Sequence, residues 1–154
     1  MKYRFILLAF IVISCFITTA KAQQTLEQNK LYNGAFAKKQ VYKAIYQLDN
    51  GSPEIIKKTI RNINNLLKDP RLKGKLQIEL VAFSGGTEAY RKGSEYEEAI
   101  KGLIQQGVIV AQCLNTLQER KIDKSELYDF LAYVPTGNGE LLIRANEGWT
   151  IIKP

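Results

Sequence analysis

Apolar and polar positions follow two different periods in residues 41–154. Short, largely apolar runs of strand length alternate with stretches in which apolar residues recur every three to four positions. This alternation is typical of β-α-β units, in which crossover helices join parallel strands. The sequence therefore predicts an α/β domain with a mostly parallel sheet, whose last strand lies at an edge. Five runs are predicted to be strands: VYKAIYQL (41–48), LQIELVAF (76–83), GVIVAQC (107–113), FLAYV (130–134) and WTII (149–152).

The stretch after the first run shows a clear helical pattern. Ser52 followed by Pro53 is a typical helix start, with a capping side chain and a proline at the first helical position. Asp69-Pro70 predicts the end of this helix. Apolar residues between these points fall at i, i+4, i+7 and i+11, which places one stripe against the sheet. The stripe consists of Ile56, Ile60, Ile63 and Leu67.

Three later segments carry the capping-box pattern, in which a Ser, Thr or Asp is followed three residues later by Glu. Each pair predicts a helix start, and the first of these helices is expected to end near Gly107. One more helix is predicted through Glu140 and Ala145, ending at Gly148. The three pairs are Ser94–Glu97, Thr116–Glu119 and Asp123–Glu126.

The first 22 residues have the composition of an export signal. Lys2 and Arg4 precede an almost wholly apolar stretch over 5–17, and Ala20-Lys21-Ala22 fits the small-x-small cleavage rule. The apolar stretch is shorter than the ~20 residues that span a membrane comfortably. The sequence therefore predicts a signal peptide over 1–22 and an exported, periplasmic protein.

A second kind of processing stays open at the same place. Val12-Ile13-Ser14-Cys15 loosely resembles the lipobox at which bacterial lipoproteins are cleaved and acylated. That alternative would anchor the protein to a membrane through Cys15, whereas signal-peptide cleavage predicts no membrane association. Residues 23–40 are polar, contain the breaker Asn33-Gly34 and are interpreted as an N-terminal arm before the domain over 41–154.

Composition excludes several classes of chemistry. The chain contains no histidine, so a Ser-His or Cys-His pair within it is excluded, and a hydrolase of these types with it. Of the two cysteines, only Cys113 would remain after signal removal. One cysteine cannot supply the several thiolate ligands of a metal site, so no metal site is predicted. Loss of the basic signal residues Lys2, Arg4 and Lys21 lowers the net charge from +7 to +4. The remaining excess is scattered, so no nucleic-acid partner is expected.

Four predicted loops should meet at the carboxyl edge of the sheet, because strands in β-α-β units run parallel. Ligands of open α/β sheets bind at this edge, where helix N-termini and loop amides converge. Glycines there allow close approach of backbone amides to a ligand, although short turns also need glycine. The candidate ligand-binding residues are Asp49, Asn50, Ser84, Gly85, Gly86, Asn115, Thr116, Pro135, Thr136 and Gly137.

Cys113 ends the third predicted strand at the same edge, directly before a predicted helix. A thiolate there would be stabilised by helix-terminal amides and would act as a nucleophile. The alternative is a small buried hydrophobic residue, since free cysteine is among the most buried residue types.

The stretch 107–154 contains a Gly-Val strand ending in a cysteine, then Asn-Thr-Leu, a strand ending Val-Pro, and Gly-Trp followed by Ile-Lys-Pro. In the order and spacing of these features it resembles the exported members of the DsrE/DsrF-like family, which share the DsrEFH-like (YchN-like) fold. The resemblance implies a three-layer α/β/α fold with a five-stranded, mostly parallel sheet, and a homo-oligomer, commonly a trimer or hexamer. It also implies that Cys113 corresponds to the cysteine that carries a persulfide in sulfur-trafficking members of the family.

Two functions from different classes follow. In the first, the protein is a sulfur carrier or thiol-redox protein that acts through Cys113 without a cofactor. Its partner would be a sulfur donor or acceptor protein or a small thiol. In the second, it is a non-catalytic module that binds a small ligand or a protein at the same glycine-lined edge.

Overall fold

The computed structural model describes residues 25–154, so the predicted signal peptide and Cys15 lie outside the described residues. The chain divides into two units, Met1–Ala35 and Phe36–Pro154. In the first unit, helix α1 (Leu26–Lys30) lies within the predicted polar arm, where the sequence analysis expected no helix. Its signal is a capping box: the Thr25 side chain accepts from the Gln28 amide, and the Gln28 side chain accepts from the Thr25 amide.

The second unit contains a five-stranded sheet in which every pairing is parallel. The spatial order is β4-β3-β2-β1-β5, so the last strand is an edge strand, as predicted. The third and fourth strands each begin two residues later than the predicted runs. The strands are β1 (Tyr42–Leu48), β2 (Leu76–Ala82), β3 (Ile109–Cys113), β4 (Ala132–Val134) and β5 (Thr150–Ile152).

Helices lie on both faces of the sheet, which confirms the predicted α/β class. Three 3₁₀ helices, at Pro70–Leu72, Ser84–Tyr90 and Lys124–Glu126, complete the connections. The α-helices of the second unit are α2 (Pro53–Leu67), α3 (Glu97–Gln105), α4 (Leu114–Arg120) and α5 (Gly137–Asn146).

The two faces of the sheet are covered unequally. On one face, alternate strand residues such as Tyr46 and Leu80 pack against α2, α3 and α4 in a large core. This core includes the predicted stripe residues Ile56, Ile60 and Ile63, with Leu67 packed at its margin. On the other face, the only helix that contributes to the core among the described residues is α5. That smaller core consists of Ile45, Val81, Leu141 and Trp149.

Two predicted capping boxes are wrong in detail. Helix α3 begins at Glu97 after Tyr96, without a side-chain cap, and the Ser94 hydroxyl instead bonds the Tyr128 hydroxyl. Thr116 lies inside α4 rather than before it, because the helix starts directly after the strand and Cys113 occupies the cap position. The third box, Asp123 with Glu126, is confirmed, although it caps a 3₁₀ helix.

Candidate functional site

The loop after β1 and the loop after β2 are packed backbone to backbone at the carboxyl edge. A β-carbon built on Gly51 would lie 2.6 Å from the carbonyl oxygen of Gly85, and one on Gly85 would lie 3.0 Å from the Gly51 nitrogen. The distance at Gly51 is too short for a side chain, and a side chain at Gly85 would require the neighbouring backbone to shift by a few tenths of an ångström. These glycines therefore allow the backbones of the two loops to approach each other closely.

Gly86 and Gly137 also lie at positions where a β-carbon would clash with a neighbouring part of the chain. A β-carbon on Gly86 would lie only 2.0 Å from the carbonyl oxygen of Leu48 at the end of β1. One on Gly137 would lie 2.4 Å from the Phe83 ring. Turn and packing requirements therefore account for the predicted glycines, which is the alternative that the sequence analysis left open.

Ser84 links the loop after β2 to helix α4. Its backbone φ is +50°, a left-handed conformation that is uncommon for a residue with a side chain. Its amide donates to the hydroxyl oxygen of Thr116 at 2.9 Å, and its carbonyl oxygen accepts from the Arg120 guanidinium at 2.8 Å. Arg120 also pairs with Glu88 at 2.7 Å. Thr116 is therefore a structural link between two of the four loops, and the Arg120 guanidinium is engaged by the loop.

Cys113 is the N-cap residue of α4. The amide of Thr116 donates to its sulfur at 3.4 Å, in the position that a Ser or Asp oxygen takes in an ordinary cap. The residue is only 3% exposed in the single chain. The sequence therefore placed Cys113 correctly at the carboxyl end of a strand, but the side chain does not reach solvent.

The strand register shows which face carries the thiol. Cys113 pairs with Val134, and Ala111, two residues earlier on the same face, pairs with Val81. Val81 belongs to the small core under α5, and the partly buried Val134 packs against that core. The sulfur therefore lies on the face that α5 alone covers among the described helices.

Asn115 connects the third and fourth loops, and Thr136 caps the helix that follows the fourth. The Asn115 amide donates to the carbonyl oxygen of Pro135 at 3.1 Å, and its side chain donates to Glu119 at 2.8 Å. The Thr136 hydroxyl accepts from the Gly139 amide and so caps α5. Hydrogen bonds or backbone packing thus join all four predicted loops in succession along the edge of the sheet.

Asp49 lies in a small cavity of about 210 Å³ at the other end of this edge, beside Asn50, Ile55 and Pro154. Its carboxylate accepts from the Lys153 ammonium at 2.7 Å and from the Gln47 side-chain amide at 3.1 Å. Burial raises the pKa of Asp49, but these hydrogen bonds outweigh burial and the net pKa is lowered. Asn50 caps its own turn by accepting from the Ser52 amide. The sequence analysis missed Gln47 and Lys153, although the parallel β5 predicts that residues after it reach this edge.

Gln112 is a third residue that sequence reasoning missed. It is fully buried, and its amide nitrogen donates to the Thr87 hydroxyl at 3.1 Å and to the Cys113 carbonyl at 2.9 Å. Its amide oxygen has no hydrogen-bond partner in the part of the chain that the structure describes. A glutamine in an apolar strand is the only sequence signal for this arrangement.

Residues 25–154 contain no candidate metal site. No three Cys, Asp or Glu side chains there gather closely enough to hold a metal ion. Nor does that range contain a helix whose length and apolar character would suit a membrane crossing.

Several solved structures resemble this arrangement of strands and loops. The protein of unknown function MTH1491 from Methanobacterium thermoautotrophicum aligns with a TM-score of 0.68 and 32% sequence identity, over 73% of this chain and 99% of that one. The chain belongs to the same protein family as MTH1491. The ychN protein from E. coli aligns over the same shares with a TM-score of 0.58 and 18% identity, which shows the fold alone. No protein-family model matches the chain, and no curated protein matches it.

Both neighbours have the DsrE-like fold, so the fold that the sequence resemblance implied is confirmed. In this chain the DsrE-like fold presents one sulfur at the carboxyl end of a central strand, with a backbone amide donating to it. The chemistry available there is that of a single thiol, because Cys113 is the only cysteine among the described residues and the chain has no histidine.

Proposed function

We propose that this protein is an exported, single-cysteine sulfur carrier with a DsrE-like fold, in which Cys113 holds sulfane sulfur as a persulfide. The observation that supports the proposal most is the hydrogen bond from the Thr116 amide to the Cys113 sulfur at 3.4 Å. An amide donor aimed at sulfur stabilises the thiolate, which is the nucleophilic form. The first turn of α4 adds the aligned amides of a helix start.

The proposed loading reaction is an exchange at sulfur. The Cys113 thiolate attacks the outer sulfur of a donor persulfide R–S–SH, forming Cys113–S–SH while the S–S bond of the donor breaks. The electron pair of that bond leaves with R–S⁻, so neither an added oxidant nor a reductant is needed. Unloading is the same reaction with an acceptor thiolate. Because the exported form would contain no second cysteine, the acceptor must be another protein or a small thiol.

Burial of Cys113 sets the condition under which this exchange occurs. A thiol that is 3% exposed meets a donor only when the loops over it open. The Pro135–Gly137 loop is the element to move, because it packs on Phe83 and accepts from Asn115 next to the cysteine. Loading is therefore expected to be slower than alkylation of an exposed thiol and to accelerate when this loop is loosened.

Mass spectrometry tests the proposal directly. A Cys15→Ser chain, in which Cys113 is the sole thiol, is incubated with glutathione persulfide and its intact mass is measured. The expected result is a gain of one sulfur atom that a small thiol removes, with no gain in the Cys15→Ser, Cys113→Ser control. A native chain that gains no sulfur, while the urea-unfolded chain does, overturns the proposal.

A matched pair of variants isolates the amide donor. Thr116→Pro removes the backbone N–H that faces the sulfur, and Thr116→Ala keeps it while both variants lose the hydroxyl. Loading is expected to be about tenfold slower in Thr116→Pro than in Thr116→Ala, the magnitude of a hydrogen bond to a charged group. Equal rates would show that the amide does not activate the sulfur.

A second candidate function is a non-catalytic binding module, which the burial of Cys113 favours. In this case the thiol is only packed, and the ligand occupies the cavity of about 210 Å³ beside Asp49 and Lys153. Protection of Cys113 from alkylation until global unfolding, together with no persulfide formation, supports this function over the first.

A further inference from the structure

The 3₁₀ helix Ser84–Tyr90 holds the chain on both sides of the cysteine. After the cysteine, the hydroxyl oxygen of Thr116 accepts from the Ser84 amide at 2.9 Å. Before it, the side-chain amide of Gln112 donates to the hydroxyl oxygen of Thr87 at 3.1 Å. The end of β3 and the first turn of α4 are therefore tied to the same short helix.

The side-chain amide of Gln112 also holds the backbone of the cysteine itself. Its nitrogen has two hydrogens, and the second donates to the carbonyl oxygen of Cys113 at 2.9 Å. That carbonyl belongs to the N-cap residue of α4, whose sulfur accepts from the Thr116 amide at 3.4 Å. Because the peptide after Cys113 leads directly into α4, its orientation determines how the first helical amides face the sulfur.

This arrangement is not explained by stability. Gln112 and Thr87 are both fully buried, and the Gln112 amide oxygen has no hydrogen-bond partner in the range 25–154. An unpaired buried acceptor destabilises a fold, whereas apolar side chains of the same shape at both positions of a hydrogen-bonded pair can be nearly neutral. A buried glutamine in this apolar strand therefore calls for another explanation.

We propose that Gln112 is a positioning residue of the Cys113 site, which acts together with Thr87 to aim the Thr116 amide at the sulfur. Gln112 pairs with Ala82 of the main core and lies on the opposite face of β3 from the sulfur, so it acts through the backbone. The inference rests on the proposed function, because a correctly aimed amide matters only if the sulfur reacts. The geometry itself can be measured without any sulfur transfer.

Hydrogen exchange of the Thr116 amide, followed by NMR, tests the geometry. The double variant Thr87→Val, Gln112→Met removes both polar partners, so neither is left unpaired. Exchange at Thr116 should become about fivefold faster, the usual value of one hydrogen bond. The matched control is Thr59→Val, which removes a buried hydroxyl bonded to Ile55 within α2 and should leave this amide unchanged. An unchanged Thr116 amide in the folded double variant overturns the proposal.

Two substitutions at Thr87 decide the question if the double variant does not fold. Thr87→Val alone removes the anchor on the 3₁₀ helix but keeps the hydrogen bond from Gln112 to the Cys113 carbonyl. It should accelerate exchange at Thr116 in the same direction, although by less than the double variant. Thr87→Ser keeps the hydroxyl and should restore the wild-type rate. Equal exchange rates in Thr87→Val and Thr87→Ser overturn the proposal.

Loading kinetics show whether this geometry matters for the reaction. The double variant is combined with Thr116→Ala, which keeps the amide hydrogen, and with Thr116→Pro, which removes it. All chains carry Cys15→Ser and are loaded with glutathione persulfide. The double variant should slow loading about fivefold more in the Thr116→Ala chain than in the Thr116→Pro chain. A purely structural role would slow both equally, which overturns the proposal. If the wild type gains no sulfur while the Thr116 amide responds as expected, the proposed function is wrong and the positioning role is supported.

Discussion

The amide of Ser84 donates to the Thr116 hydroxyl at 2.9 Å, across the gap between the loop after β2 and the first turn of α4. Thr116 is buried, and Ser84 has a left-handed φ of +50°. A side chain that the sequence offered as a ligand contact therefore holds two loops of the protein together. The Ser84 carbonyl oxygen also accepts a hydrogen bond from the Arg120 guanidinium, which belongs to the same helix as Thr116.

Thr116→Val should lower the free energy of unfolding by about 1 kcal/mol, the usual net value of one hydrogen bond. Valine keeps the shape of threonine, so packing is little changed and the loss reports the hydroxyl. Urea denaturation measures the effect. Thr150→Val, at an exposed strand position, is the control and should change stability by no more than about 0.5 kcal/mol. A loss in Thr116→Val no larger than in the control contradicts the assigned link.

Gly86→Ala should be the most damaging of the edge substitutions. Its β-carbon would lie 2.0 Å from the Leu48 carbonyl oxygen, a backbone atom that cannot move without shifting β1. A loss of about 3 kcal/mol or more is expected, at the upper end for overpacking. Thermal and urea unfolding of the purified variants measure it.

Gly102→Ala is the matched control, because a β-carbon there meets no atom within 4 Å and the residue lies inside α3. This variant should be more stable than the wild type by up to about 1 kcal/mol, as expected for Gly→Ala in a helix. If both variants lost the same stability, the close contact at Gly86 would not be the cause.

The sequence predicted the sheet well because its signals are local. Each strand run is short, apolar and bounded by turn residues. Ile56, Ile60 and Ile63 recur with the period of a helix, which places them on one face of it, and that face is buried in the main core. The position of Cys113 followed from the same logic, since it ends such a run. Strand order and the complete absence of antiparallel pairs among the described strands agree with the β-α-β pattern.

The exposure of Cys113 was beyond such reasoning, because it depends on long-range packing. Val134 and Val81 share its face of the sheet, and neither is near it in sequence. The misassigned boxes have a similar cause: Ser94 bonds Tyr128, and Thr116 bonds Ser84, so tertiary partners replaced the local ones. A local sequence pattern predicts a secondary-structure element, whereas the hydrogen-bond partner of a polar side chain depends on the whole fold.

Glu79 should make stability depend on pH in the direction opposite to an ordinary paired carboxylate. Glu79 lies on β2 and is 1% exposed. Burial raises its pKa, the Arg144 guanidinium at 2.8 Å lowers it, and the nearby Glu140 raises it further. The net pKa of Glu79 is raised. A raised pKa means that the folded state binds the proton more tightly than the unfolded state. Glu79 therefore costs stability as pH rises from its unfolded pKa, about 4.3, through its folded pKa.

Glu79→Gln removes this dependence. The free energy of unfolding of Glu79→Gln minus that of the wild type should increase between about pH 4 and the raised folded pKa, and then stay level. Urea unfolding at a series of pH values measures the difference. Glu98→Gln, at an exposed position on α3, is measured in parallel as the control for removing a glutamate charge. A difference for Glu79→Gln that falls with pH would show that Arg144 dominates over burial.

The outer surface of α5 should form the contact of the homo-oligomer that the sequence resemblance implies. Leu142 is 66% exposed and Ile143 56% exposed, and Ile109 and Ile151 are exposed on the strand face that α5 covers. These side chains lie on the same side of the sheet, and several exposed apolar residues on one side mark an interaction surface more often than a single one does. Leu142→Asp should therefore lower the mass measured by sedimentation equilibrium toward that of one chain. Gln105→Asp, which adds the same charge at an exposed position on α3, should leave the mass of the wild type unchanged. A wild-type monomer, or an assembly that Leu142→Asp does not weaken, would show that this surface has another partner.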